Sequence, residues 1–136
     1  MTDQERDEHY SLMKKYLDIT TKVGSASDKL NNITKESFAK LCASKEGDVD
    51  LGFINWFGKK DDYDSIMEKL SSLIDRNKES LKTLKSMDAH KSTLVQIEYN
   101  VKIYVAYSEE LLEYFDKVFN YYDQYNQWRT EIWKKN

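Results

Sequence analysis

No proline occurs anywhere in the 136 residues, and this constrains the fold more than any other feature. Proline ends or kinks a helix because it removes a donor and clashes with the preceding turn, so a chain without it can run in long helices. Average usage would supply about seven prolines in a chain of this length. Glycine, the other helix breaker, occurs four times, and three of the four (Gly47, Gly52, Gly58) crowd into one short window.

Apolar side chains recur at the matching period. His9, Leu12, Tyr16, Ile19 and Val23 alternate steps of three and four, and the register continues through Ala26, Leu30 and Ile33. Thr2 and Glu5 stand at capping-box spacing ahead of it, with Asp3, Asp7 and Glu8 near the positive end of the helix dipole. The pattern predicts a helix over about 3–43, with a break allowed near 24–34, where Gly24 weakens it and Asn32 or Thr34 ahead of Glu36 offers a second start. Residues 44–62 depart from the period and read as an irregular aromatic and acidic connector. Its middle puts Phe53, Trp56 and Phe57 at i, i+3 and i+4, one face of a single turn. The period resumes in a second helix over about 62–87 (Tyr63, Met67, Leu70, Ile74, Asn77, Leu81, Leu84). Asn77 lies within that stripe, where a buried amide fixes register.

A third helix over about 92–134 carries Leu94, Ile97, Val101, Tyr104, Ser108, Leu111, Phe115, Val118, Tyr122, Tyr125, Arg129 and Ile132 in one unbroken register. The last two stripes are offset across Met87 to Lys91, which predicts a turn there and antiparallel packing. The expectation is an all-α fold: a single domain over 1–136, built as an elongated antiparallel three- or four-helix bundle with long helices.

A net charge of −3 gives no field that would draw nucleic acid or an anionic membrane, and the basic residues are mostly lysine, with only Arg6, Arg76 and Arg129 to offer a forked guanidinium. No apolar run approaches the length of a membrane span. The N-terminal decapeptide is acidic and without an apolar core, so no secretory signal is expected, and the single Cys42 has no internal disulfide partner. The expected location is cytoplasmic.

Residue patterns that carry chemistry are missing. The residues three before His9 and His90 are Arg6 and Met87, not the Glu of a di-metal bundle site. A calcium-loop frame from Glu46 puts Leu51 where glycine is required and Phe57 where the bidentate Glu belongs. Ala89-His90-Lys91-Ser92 superficially fits a phosphotransfer helix but continues Thr93-Leu94, without the Leu-Lys-Gly that would follow. Phosphate-cradling glycine loops and nucleophile elbows do not occur either. We expect no enzyme, no metal and no cofactor.

The aromatic residues are distributed more tellingly. Eleven of the 18 lie between Tyr99 and Trp133. Tyr104, Phe115, Tyr122 and Tyr125 fall on the core stripe of the third helix, whereas Tyr107, Tyr114, Tyr121 and Trp128 form a second row spaced by sevens. Rings with a polar tip suit half-wet surfaces and dominate interface energetics. A neighbouring helix of the same chain, a protein partner or a second copy of the chain would each cover such a row. Phe53, Trp56, Phe57, Tyr107, Tyr114, Tyr121 and Trp128 are therefore the candidate partner-binding residues.

Trp56-Phe57-Gly58 between helical segments, with Tyr63 seven residues on, resembles the Trp-x-Gly helical-hairpin proteins of Gram-positive type VII secretion. The resemblance spans residues 53 to 74, implies that the tripeptide marks a hairpin turn, and makes the chain a partner or substrate of such a system. The third long helix departs from that pattern. The functional expectation is a non-enzymatic protein-interaction module: a small intracellular adaptor, a chaperone-like partner, or an inhibitor of a host protein encoded by a phage or mobile element. It would bind another protein or pair as a homodimer, with no membrane contact. The secretion-partner reading is one alternative. A second is an interactor of a nucleic-acid-processing complex, suggested by Arg76, Lys78, Lys82, Lys85 and Lys91, with direct nucleic-acid binding disfavoured by the overall charge.

Overall fold

A computed structural model describes residues 2–33, 51–87 and 92–135. They form four helices: α1 (Asp3–Ile33), α2 (Leu51–Phe57), α3 (Tyr63–Ser86) and α4 (Leu94–Lys135). The chain is an all-α bundle of long packed helices, and no strand occurs among the described residues. The part of the first predicted helix beyond Ile33, together with Phe38, Cys42, Ala89, His90 and Lys91, lies outside them.

Local chemistry sets the helix ends. The Thr2 hydroxyl accepts the Glu5 backbone N–H at 3.1 Å and starts α1. Helix α4 opens on a reciprocal box that the sequence reading did not single out: the Gln96 N–H donates to Thr93 Oγ1 at 3.2 Å and the Thr93 N–H to Gln96 Oε1 at 3.0 Å. Helix α1 runs unbroken past Gly24, where an added Cβ would meet nothing within 4 Å. The irregular connector expected over 44–62 requires correction over Leu51–Phe57, which is helical; 58–62 form a turn, and 44–50 lie outside the described residues. Its lone amphipathic turn is too short to persist unaided, and packing supplies what propensity does not.

Helix α4 is the axis on which the others pack. Asp62 sits beside Tyr121, Lys69 beside Glu110 and Asn77 beside Ser108, so α3 runs antiparallel to it. His9 sits beside Glu98, Thr20 beside Tyr104 and Lys29 beside Phe119, so α1 runs parallel to it. The topology is up-down-up, with α2 laid across the far end of α4. The core fills two adjoining regions. One is small and lies toward the start of α1 and α4, around Ile19, Val101, Tyr104 and Val105. The other is larger, including Leu30, Leu70, Leu73, Leu111, Phe115 and Val118, and ends in the rings of α2. Asn77 donates to Ser108 Oγ at 2.7 Å inside this core, and both residues are buried. A polar pair of this kind fits only when α3 and α4 keep one register, since a slide would leave both groups unsatisfied.

Candidate interaction surface

The far end of the bundle is aromatic. Phe53 and Phe57 are fully buried. The ring of Phe53 meets Tyr122 edge-on at 5.0 Å and Phe57 stacks on Tyr121 at 4.9 Å. Trp56, on the third apex of the same helical turn, lies half-buried among Tyr121, Tyr125 and Trp128 at ring separations of 6.2, 5.8 and 6.4 Å. The i, i+3, i+4 spacing thus works as the sequence suggests, one apolar face on one turn, but that face closes on the chain's own α4. Phe53 and Phe57 offer no surface to a partner in this conformation.

The row spaced by sevens divides along its length. Tyr107, Tyr114 and Tyr121 are half-buried along the edge of α4 that faces α3. The Arg76 guanidinium lies over the Tyr107 ring at 5.9 Å, and Lys117 reaches the Tyr114 ring at 4.2 Å. Tyr121 donates its hydroxyl to the Asp62 carboxylate, 2.6 Å from each oxygen. That hydrogen bond, then burial and the negative charges of Asp62 and Asp61, push the Tyr121 hydroxyl up to about 12, since ionising it would place an anion against a carboxylate. Tyr121 therefore ties three parts together: its ring holds α2, its hydroxyl holds the residue that begins α3, and its backbone belongs to α4.

Trp128, the fourth member of the row, is 46% exposed. It begins the stretch of α4 that passes beyond the other long helices. The 42 residues of α4 span about 63 Å at 1.5 Å per residue. Helix α3 begins level with Tyr121 and α2 reaches only to Trp128. Beyond it Ile132 is 39% and Trp133 77% exposed. The sequence pattern placed Ile132 on the core stripe; the structure leaves it in water because no described helix extends far enough to cover it. Arg129 lies over the Tyr125 ring at 5.2 Å and Lys60 over the Trp56 ring at 3.9 Å, so cations border this apolar end. Ile132 and Trp133 were missed as surface candidates. The signal that points to them is a difference in length, since the third predicted helix outruns the second by many residues.

Among the described residues no three His, Cys, Asp or Glu side chains gather where a metal ion could be held. The grooves between helices are open. One, between α1 and α4, is lined by Lys14, Lys15, Asp18, Lys22 and Glu109 beside Ile19 and Leu112. Lys78, Lys82 and Lys85 are exposed around Leu81 on α3, apart from Arg76. The Trp56-Phe57-Gly58 tripeptide ends a seven-residue helix packed on α4. It does not join two long helices as the resemblance implies. No described helix is long and apolar enough to cross a membrane. Compared with known proteins, the chain matches no family model, no curated protein and no solved structure.

Proposed function

We propose that the protein is a non-enzymatic binding module that engages another protein through the projecting end of α4. One observation carries this reading: Trp128, Ile132 and Trp133 together expose large apolar side chains on the last turns of an ordered helix. Scattered exposed apolar residues are ordinary. Two tryptophans and an isoleucine within six residues are not, because tryptophan is the residue type that most often anchors an interface and the one least suited to stand in water. Lys60 over the Trp56 ring and Arg129 over the Tyr125 ring supply a polar border beside Trp128. An adaptor, a chaperone-like partner and an inhibitor all work by such a contact, and no groups arranged for bond-making are needed.

The reading is tested by capturing partners from the source cell with the wild-type chain and with a Trp128→Ser/Ile132→Ser/Trp133→Ser variant. A Tyr10→Ser/Leu17→Ser variant, altered at exposed residues of α1, serves as the control. The partner should be retained by wild type and control and lost by the α4 variant. An unchanged set of captured proteins would remove the assignment.

A further inference from the structure

We propose that residues 1–57 are exchangeable between two copies of the chain. The turn at 58–62 rewinds, α2 and α3 become one continuous helix, and the N-terminal segment of each copy packs on α4 of the other. The second copy is the one partner whose fit to the aromatic end of α4 is already visible, because α2 occupies that place within the chain.

Two features support the exchange. The first is where the packing lies. Both α1 and α2 pack chiefly on α4, and the rings of α2 meet Tyr121, Tyr122, Tyr125 and Trp128 of that helix. A segment that leaves its own α4 for that of a second copy regains the contacts to α4 and gives up the edge-on Phe57–Tyr63 contact across the bend, and such exchange is a low-cost route to a dimer. The second is the junction, which is bent but already close to helical. Gly58 N–H donates to Ile54 O as in an α-helix. Lys60 N–H to Phe57 O and Tyr63 N–H to Lys60 O are the tighter three-residue kind, at 2.9 and 3.1 Å. No described residue has a positive φ, and Asp62 sits at φ −95°, ψ 5°. The bend is therefore not locked by any left-handed residue. Straightening it exchanges short helical bonds for longer ones and removes five residues of turn.

The exchange is read by cross-linking. Lys15 and Glu109 are ion-paired at 2.8 Å between α1 and α4, with both side chains about half exposed. Chains carrying Lys15→Cys alone and chains carrying Glu109→Cys alone, each with Cys42→Ser, are unfolded, mixed, refolded at high concentration and treated with a short bifunctional thiol reagent. Exchange gives a dimer in which residue 15 of one chain is joined to residue 109 of the other. Gly58→Ala should raise the yield, because the added Cβ would lie only 3.2 Å from the Ile54 carbonyl in the bent form. Lys59→Pro should lower it at least about a hundred-fold, since proline breaks the continuous helix. The bent form forfeits the 3.3 Å bond from Lys59 to Trp56 and strains the helical Gly58 before the proline, a local cost, so circular dichroism should show the monomer's long helices retained. Substituting Ile132 and Trp133, with Trp128 kept in its contact with Trp56, should leave the yield unchanged, which separates this inference from the partner surface proposed above. A dimer without cross-links between chains, or a chain that stays monomeric even as Gly58→Ala, overturns the proposal.

Discussion

Two stretches of α4 follow the same rule of spacing and meet different fates. Between Val101 and Tyr125 the residues at alternating steps of three and four are buried against α1, α2 and α3, among them Tyr104, Phe115 and Val118, with Tyr122 alone half-buried. Beyond Tyr125 the steps continue through Arg129 to Ile132, which is 39% exposed, while Trp128 of the second row is half-exposed against the Trp56 and Tyr125 rings. The local pattern marks the change only by Arg129, the one charged member of the stripe. Periodicity states which face of a helix is apolar; whether that face is covered depends on how far the neighbouring helices reach. The covered stretch is accordingly a source of stability, and the uncovered one a source of binding.

Substitutions should divide along that line. The largest effect is expected inside the covered stretch: Phe115→Ala, at a ring with no exposed surface, should lower stability by about 3–5 kcal/mol in urea unfolding. Next comes Asn77→Ala, which leaves the Ser108 hydroxyl without its 2.7 Å partner. A loss of about 1–3 kcal/mol is expected, smaller when Ser108→Ala is added, because the penalty belongs to the orphaned group. Tyr121→Phe should remove about 1 kcal/mol, the low end for a bond to a charged acceptor that water also reaches.

Tyr121 also has a pH signature. Its hydroxyl titrates near 12 in the folded chain, against an ordinary value of 10.0. The neutral form is thus favoured by folding. That stabilisation is complete below pH 10 and is lost as the pH rises toward 12. Unfolding curves measured across this window should slope less steeply with pH in Tyr121→Phe than in wild type. The smallest effect has the opposite sign. Gly24 is exposed within α1 with open space where a Cβ would be, so Gly24→Ala should stabilise the chain by about 0.5–1 kcal/mol in the same assay.

How much of this the sequence discloses depends on the range of the interaction. Asn77 is legible as a buried amide because its position in the stripe is local information, and Ser108 occupies the matching stripe of α4. The bundle is legible for the same reason. Helix α2 is not, since its helicity over Leu51–Phe57 is imposed by an aromatic groove formed by residues far along the chain, and the glycine in its first turn argues against it locally. The bond from Tyr121 to Asp62 joins residues 59 apart and has no local mark at all. Of the aromatic row, Tyr107, Tyr114 and Tyr121 share one face with Trp128, yet only Trp128 lies beyond the start of α3. Heptad spacing cannot express that difference; relative helix length can.

The central claim is that one apolar face of α4 serves folding up to Tyr125 and stays open beyond it. Thermal unfolding of the Ile132→Ser/Trp133→Ser chain, which keeps Trp128 in its contact with Trp56, tests this most directly. A midpoint within a few degrees of wild type is expected, as for substitutions at exposed positions. A fall comparable to that of Phe115→Ala would show that these two residues belong to the core, and the division of the helix into a folding half and a binding half would be wrong.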